Sequence, residues 1–396
     1  MEKDMTAGTP GKIIFNFTMP IFIGNIFQQF YNMADTVIVG KFVGNAALAA
    51  VGACGTLVFL IIGFLQGVTA GFTVVTAQHF GAGNMKAMKK SVASGAVLTG
   101  IVTVILTLLS MISMAKVLHL MNTPSDMYGE AYGYIMVICG GIVAQALYNY
   151  LASVLRALGD SKRPLYFLVI AALLNIVLDL VFVLVFDMGV EGPAIATVLA
   201  QGISGIVCLW YMYRKFPVLH ASREEWRPEL SYMGKLCYIG VPMGLQYSVT
   251  AIGTLVLQAA VNGLGAAVVA GVTAGQKINA FIQCPLEALG QTMAPYAGQN
   301  MGAEKYDRIG KGLKSAVGMG FVVSVLCFVL AIFFGKQLTT LFVDASETTI
   351  ISYSYQFLLY CTGGYCLLTL VNTVRFTIQG MGFSVFAILS GIMEMI

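Results

Sequence analysis

The chain has 396 residues, of which 58% are hydrophobic and only 10% are charged, and its formal net charge is +4. Average soluble domains carry about 25% charged residues, so this composition excludes an ordinary soluble protein, and the absence of a basic tract gives no indication of nucleic acid binding. Apolar runs of about 18 to 25 residues recur along the chain, which is the length that crosses roughly 30 Å of hydrocarbon. Membrane barrels show short alternating segments instead. We therefore expect an all-α polytopic membrane protein.

The apolar runs predict ten spanning helices and the start of an eleventh. With the N-terminus placed inside, the predicted cytoplasmic segments hold 18 of the Lys and Arg residues, including Arg156 and Arg375, and the outer loops hold 3. Cytoplasmic loops of membrane proteins carry an excess of positive charge. We therefore expect a multi-pass protein of the cytoplasmic (plasma) membrane with its N-terminus inside. The predicted helices cover 13–40, 46–71, 92–115, 131–154, 164–186, 193–213, 236–262, 267–295, 314–335 and 350–374, and the eleventh begins near Ser384.

The two halves of the chain resemble each other. Five motifs of the first half recur in the second half at an offset of 221 to 223 residues, which indicates an internal duplication. We expect an N-terminal six-helix lobe over 1–215, a cytoplasmic linker over 216–235 and a C-terminal lobe over 236–396, as parallel repeats with a substrate site at their interface. The counterparts of helices five and six would occupy residues to about 436 at this offset, so we expect a C-terminally truncated form lacking most of its last two helices. The pairs are Met19-Pro20 with Val241-Pro242, Gly44-Asn45-Ala46-Ala47 with Gly265-Ala266-Ala267-Val268, Gln78-His79-Phe80-Gly81 with Gln299-Asn300-Met301-Gly302, Gly140-Gly141 with Gly363-Gly364, and Leu155-Arg156-Ala157-Leu158-Gly159 with Ile378-Gln379-Gly380-Met381-Gly382.

Several segments resemble motifs of the multidrug and toxic compound extrusion (MATE) transporters. The likeness covers essentially the whole chain, and it is closer to the DinF-like branch than to the NorM type, because helices seven and ten lack the acidic residues of the latter. The resemblance implies twelve helices in two six-helix lobes around a V-shaped cavity, of which about ten and a fragment are present. It also implies alternating access and antiport against H⁺ or Na⁺, with no other cofactor. The motifs are Gln28-Gln29-Phe30-Tyr31-Asn32-Met33-Ala34-Asp35-Thr36, Arg156-Ala157-Leu158-Gly159-Asp160-Ser161, Asn175-Ile176-Val177-Leu178-Asp179 and Gly298-Gln299-Asn300-Met301-Gly302-Ala303.

Two carboxylates, Asp35 and Asp179, interrupt apolar helices of the first lobe. An Asp at a helix centre costs roughly 2.5 to 3.5 kcal/mol on insertion scales, so an intramembrane acid is a functional candidate. Counting residues along each helix places these acids at one level near the outer side with Thr197 and Tyr134, and Asn175 lies one turn deeper. We predict a cation-coupling site, in which paired carboxylates hold a proton or, with the Asn175 and Thr197 oxygens, hold Na⁺. The residues leave the ion open, and hydrated interfacial charges are the alternative.

Six further polar residues are candidates for lining a substrate cavity. Lys277 lies near the middle of its predicted helix and must face the cavity or bind backbone carbonyls. Glu287 either lies at the interface or takes part in admitting substrate. The uncharged amides are more often found in hydrogen bonds between helices than in contact with ligands. The candidates are Gln28, Tyr31, Asn149, Gln246, Lys277 and Glu287.

Pro20 and Pro242 interrupt helices one and seven at equivalent positions. A proline removes one backbone hydrogen bond and kinks a helix. We expect both to act as hinges, with Pro20 letting helix one bend when Asp35 and Asp179 change protonation. A static kink is the alternative.

The leading functional hypothesis is a secondary efflux antiporter for small amphiphilic or cationic substrates, acting as a monomer in the lipid bilayer. A flippase for a lipid-linked precursor is the second candidate, and a strongly basic cavity would favour it. An intramembrane enzyme would need a catalytic cluster, but the sequence has no HExxH or DxxD motif and its eight cysteines form no CxxC pair. We therefore expect neither enzymatic activity nor a metal site.

Overall fold

The computed structural model describes residues 4–121 and 123–395, and these ranges form thirteen α-helices and no β-strand. In a bilayer every backbone N–H and C=O needs a partner within the chain, and a helix supplies all of them inside one segment. Seven of the described helices are long and apolar enough to cross a membrane, and two bent helix pairs raise the number of spans to nine. The prediction of an all-α, multi-pass membrane protein is confirmed.

The helices are α1 (Pro10–Ile38), α2 (Asn45–Gly81), α3 (Met85–Leu120), α4 (Ser125–Gly140), α5 (Ile142–Ala157), α6 (Lys162–Leu180), α7 (Glu191–Lys215), α8 (Leu230–Asn262), α9 (Ala266–Gly302), α10 (Tyr306–Thr339), α11 (Thr348–Gly363), α12 (Tyr365–Gly380) and α13 (Val385–Met395).

Several helices run well past their predicted ends. α2 and α9 each contain 37 residues and α3 contains 36. At 1.5 Å per residue such helices are about 55 Å long, so they extend beyond the roughly 30 Å of hydrocarbon. Many basic residues that were assigned to loops therefore lie inside helices. Arg156 is in the last turn of α5 and Arg375 is within α12, which corrects their assignment to cytoplasmic loops.

The predicted spans 131–154 and 350–374 are each built from two helices. The chain bends by 47° between α4 and α5 and by 48° between α11 and α12. Both breaks fall on the duplicated Gly-Gly pair, where the missing side chain lowers the cost of leaving the helical path. A side chain at Gly141 would also collide with Val198 of α7. The glycine therefore lets the start of α5 approach α7 closely.

The duplication divides the helices into two sets, which we call the N-terminal bundle (α1–α7) and the C-terminal bundle (α8–α13). One end of the molecule carries the α2–α3, α5–α6, α7–α8 and α9–α10 connections, where most Lys and Arg residues are found. We call this the basic end and the other the opposite end. α1 starts at the basic end, and Asp35 lies 25 residues after its first residue. Asp35 therefore lies toward the opposite end.

α2 and α8 hold the bundles together over the half nearer the basic end. Gly67 and Gly71 of α2 lie so close to Met243 and Gly240 of α8 that a side chain would collide with the backbone. Small residues of this kind let membrane helices approach each other. Toward the opposite end, α8 residues 254–257 are all exposed, on every face of the helix. The bundles therefore separate there, and the interbundle space opens toward the opposite end.

Candidate functional site

Polar side chains of α1, α6 and α7 meet in the N-terminal bundle, toward the opposite end. Asn175 and Asp179 are fully buried and lie one turn apart on the same face of α6. Thr197 of α7 and Tyr31 of α1 are also buried. The helix positions predicted a shared level for Asp179 and Thr197, and the structure brings both into one cluster with Tyr31.

Thr197 is the centre of this hydrogen-bond network. Its Oγ1 accepts from the Tyr31 hydroxyl at 3.0 Å and from Asn175 Nδ2 at 3.3 Å. The same Asn175 amide donates to Asp179 Oδ1 at 3.5 Å. A hydroxyl oxygen has two acceptor lone pairs, and both are used in this arrangement. A cation bound here would therefore be held by carboxyl and amide oxygens, while Thr197 positions the Asn175 amide.

Asp35 of α1 completes the cluster, because its carboxyl group lies beside that of Asp179. Three buried oxygens have no hydrogen-bond partner among the described residues: Asp35 Oδ1, Asp179 Oδ2 and Asn175 Oδ1. Burying an acceptor without a donor costs free energy. One proton could be shared by the two carboxyl groups, and a small hard cation could coordinate all three oxygens, so the chemistry of these groups is compatible with either predicted coupling ion.

Tyr134 of α4 lies within electrostatic range of both carboxyl groups. Its ring packs in a small apolar cluster with Val39 and Val190. Tyr134 therefore shields the side of the carboxyl pair that faces α4. It was predicted at the same level, and the structure places it next to the network.

Each aspartate is followed by one turn of π-helix, which the sequence did not predict. α1 continues into a π turn over Val39–Val43, and α6 continues into one over Val181–Val185. Such turns are rare and recur at functional sites. They shift the helical register directly after Asp35 and Asp179. Hydropathy gives no signal for this change, because it does not distinguish an α-helical turn from a π turn.

A narrow cleft lies on the basic-end side of the cluster and is lined by Gln28, Tyr31 and Gln201. Gln201 of α7 is buried, and its Oε1 has no hydrogen-bond partner in the part of the chain that the structure describes. Gln201 is four residues after Thr197 and so lies on the same face of α7. Sequence reasoning missed this residue, although its spacing to Thr197 was an available signal.

A second polar group lies in the C-terminal bundle and contains two of the predicted cavity residues. Gln246 of α8 is buried, and its side-chain amide lies 2.5 Å from the side-chain amide of Gln379. With its oxygen turned toward Arg375, Gln246 accepts a hydrogen bond from the Arg375 guanidinium at 3.0 Å. Glu287 of α9 is half-buried and within electrostatic range of Arg375 and Tyr247. The structure therefore does not join Gln246 and Glu287 to the aspartate pair.

The remaining predicted residues lie outside both polar groups. Asn149 is buried and donates to a backbone carbonyl of its own helix at 2.9 Å. Lys277 of α9 is exposed. Pro20 and Pro242 lie inside α1 and α8, and both helices continue through them. Their role as hinges stays a prediction.

Acids buried between membrane-spanning helices are typical of the ion and substrate pathways of membrane transporters. The MatE family model matches residues 20–181 and 242–393, once in each bundle. The chain therefore belongs to the MATE family of multidrug efflux transporters, and the resemblance seen in the sequence motifs is confirmed.

The similar proteins include named transporters. The probable multidrug resistance protein YpnP of Bacillus subtilis (strain 168) is 31% identical over 357 residues, which cover 90% of this chain and 79% of that protein. The FAD transporter of Shewanella oneidensis is 24% identical over 338 residues, which cover 84% of this chain and 74% of that protein. A MATE-family multidrug resistance transporter of the MOP superfamily, solved in an outward-facing conformation, matches with a TM-score of 0.92 at 21% identity, covering 98% of this chain and 86% of that one. This last likeness concerns the fold alone.

Proposed function

We propose that the protein is a secondary efflux antiporter, which exports small organic cations or drugs in exchange for H⁺ or Na⁺ by alternating access. The proposal rests above all on one observation, the adjacent Asp35 and Asp179 carboxyl groups with unpartnered buried oxygens. Such a pair has a chemical reason to take up one cation. Membership of a multidrug efflux family supports small compounds as the cargo.

The cluster residues differ in what they contribute. Two adjacent carboxylates repel each other in a medium of low dielectric, and taking up one cation removes that repulsion. Asp35 and Asp179 would hold a proton, and together with Asn175 Oδ1 they would hold Na⁺. Tyr31 and Thr197 fix the Asn175 amide. Because the carboxyls belong to α1 and α6, loading alters the force between these helices, and α1 also packs against α9 of the other bundle. Through this contact, uptake of the ion can change how the two bundles are arranged around the interbundle space.

The placement in the cell belongs to the same proposal. Lys and Arg divide 18 to 3 between the two sides of the predicted topology, which favours a cytoplasmic basic end. We therefore place the protein in the cytoplasmic membrane with its N-terminus inside. We also propose that it acts as a monomer. The Asp35–Asp179 cluster then faces the outer side, where an inward-directed gradient supplies the ion.

The test is transport of a fluorescent organic cation in vesicles that contain the protein under an imposed pH gradient or an imposed Na⁺ gradient. Wild type is compared with Asp35→Asn and Asp179→Asn. The matched control is Asp344→Asn, which alters an exposed aspartate in the α10–α11 connection. We expect both cluster variants to lose gradient-driven transport and the control to retain it. Gradient-coupled transport at the wild-type rate by either cluster variant would refute the proposal, and the gradient that drives transport identifies the ion.

A second candidate function is transport of amphiphiles that carry an anionic group, as a flippase for a lipid-linked precursor would require. Arg156 lies deep in the protein, keeps some accessible surface, and hydrogen-bonds to Ser153 Oγ at 3.4 Å. It lies within electrostatic range of Tyr247 in the other bundle. The FAD transporter of Shewanella oneidensis is a relative whose named cargo carries phosphate groups, which a buried guanidinium binds well.

Competition decides between these candidates. If anionic cargo is carried, FAD or a lipid diphosphate slows export of the fluorescent cation, and Arg156→Gln removes that inhibition while cation export persists. If these compounds leave export unchanged in wild type, the second candidate is rejected and the cation antiporter stands.

A further inference from the structure

Two glutamines make reciprocal contacts between the bundles at the basic end. Gln78, near the end of α2, donates from Nε2 to the Gly380 carbonyl at the end of α12, at 3.1 Å. Gln299, near the end of α9, donates from Nε2 to the Ala157 carbonyl at the end of α5, at 2.9 Å. Gln78 and Gln299 are equivalent in the duplication, and so are Ala157 and Gly380. Each bundle therefore binds the other through the same pair of positions.

Two glycines of the same motif let the helix ends come this close. A side chain at Gly81 would collide with the Gln299 carbonyl, and one at Gly302 would collide with the Gln78 carbonyl. The collisions involve backbone atoms, so no rotamer change relieves them. The duplicated Gln-x-x-Gly motif thus supplies both the hydrogen bond and the space for it, which explains a repeat that the coupling-ion site leaves unused.

The N-terminal segment Met5–Gly8 crosses one side of this contact. The Met5 N–H donates to Gln299 Oε1 at 2.9 Å, so this amide binds both the segment and α5. Lys305 Nζ donates to the Thr6 carbonyl at 2.9 Å, and Arg308 donates to the Gly8 carbonyl at 2.9 Å. The Met5 side chain is buried among residues of both bundles. These contacts therefore add stability to the interbundle contact made by Gln299.

We propose that Gln78 and Gln299 form a reciprocal latch that holds the basic end of the interbundle space closed, and that Met5–Gly8 is a strap that secures its Gln299 half. The inference rests on the alternating access proposed above. Opening toward the basic end must part α2 from α9, and both glutamine hydrogen bonds cross between the bundles at this point, so both must break. Each hydrogen bond shifts the open–closed equilibrium only about fivefold, so the latch can open reversibly when the freed amides are hydrated.

The experiment is hydrogen–deuterium exchange with mass spectrometry on the full chain in nanodiscs, without an ion gradient. Gln299→Leu removes the bond to α5 and the bond to the strap, and Gln78→Leu removes only the bond to Gly380. Lys305→Met loosens the strap and leaves both latch glutamines in place. Gln337→Leu, at an exposed glutamine near the opposite end of α10, is the matched control.

We expect Gln299→Leu to speed exchange roughly 30-fold in peptides covering 4–9, 78–84 and 299–305, because two hydrogen bonds are lost. Gln78→Leu should give about fivefold at 78–84 and 299–305, without change at 4–9. Lys305→Met should affect 4–9 alone. Unchanged exchange at the basic end in both glutamine variants overturns the latch, and so does an equal increase at the opposite end over 340–347, which indicates a folding defect. Because no gradient is present, a failure of ion coupling does not alter this readout.

Discussion

The two bundles share a scaffold but differ in the charges they place inside it. Pro20 and Pro242, the Gly-Gly bends and the Gln78–Gln299 contact occur in both. At the offset of 222 residues, however, Asp35 of the N-terminal bundle corresponds to Leu257, which is exposed. In the other direction, at the offset of 221 residues that relates α9 to α2, Glu287 corresponds to the exposed Gln66. The features of packing are thus duplicated and these charged groups are not, so the ion coupling proposed above would belong to one bundle.

Exchanging the two equivalent residues should have the largest effect. Asp35→Leu gives α1 the side chain that α8 carries, and we expect it to abolish gradient-driven transport because Asp179 then lacks the second carboxyl. Leu257→Asp in the Asp35→Leu background should not restore transport, since the buried Asn175 and Thr197 partners are on α6 and α7 of the first bundle. Transport of a fluorescent cation under a gradient measures both variants.

The single variant Leu257→Asp is the control for this exchange. It places a charge at an exposed position and leaves the Asp35–Asp179 cluster intact, so coupled transport should persist. Recovery of coupling in the double variant would show that either bundle can hold the ion, and the proposed asymmetry would be wrong.

An intermediate effect is expected for Thr197→Val, which keeps the side-chain shape and removes the Oγ1. Tyr31 and Asn175 then each lose one hydrogen bond, so we expect the coupling ion to bind roughly 5- to 30-fold more weakly. The ion concentration that gives half-maximal transport measures this. Thr197→Ser retains the hydroxyl and should behave like wild type. An unchanged half-saturating concentration in Thr197→Val would show that the network does not position the ion.

The smallest effect is expected for Glu287→Gln, in the bundle without the paired acids. Glu287 is half-buried and lies near Arg375. Water and the guanidinium therefore screen its charge, so its attraction for a cationic substrate is worth about 1 kcal/mol or less. We expect the apparent affinity for a cationic substrate to fall up to about fivefold, with the identity of the driving ion unchanged. A neutral substrate of similar size serves as the comparison. Loss of ion coupling in this variant would move the coupling site, or part of it, into the C-terminal bundle.

Much of the fold could be predicted from local properties of the chain. Long apolar runs are confined to the bilayer by transfer free energy, so hydropathy indicated the spanning segments, and the duplicated motifs indicated two related halves. The ends of α2 and α9 were missed because a helix continues past the hydrocarbon region at little cost, and hydropathy does not register that extension. The bends at Gly141 and Gly364 were missed because each lies within one continuous apolar run.

The candidate site was predicted only in part. Asp35 and Asp179 were recognisable because a carboxylate in an apolar helix is costly wherever that helix packs. The helix count also gave a common level for Thr197. Gln201 was missed because an uncharged amide carries a smaller cost and its burial depends on the neighbouring helices. Arg156 was assigned to a loop because its apolar run ends near it, whereas the structure buries it beside the other bundle.

The sequence by itself determined that the chain is a membrane protein with a duplicated helical scaffold and two acids inside its first half. Each of these conclusions follows from the free energy of placing a residue type in hydrocarbon, or from repetition along the chain. Only the tertiary structure decided which polar groups meet. It joined Asp35 to Asp179, used both acceptor positions of Thr197, and paired Gln78 and Gln299 with the backbone of the opposite bundle. Helices of similar hydropathy can pack in many ways, and close packing at glycines and hydrogen bonding of buried polar groups select one of them.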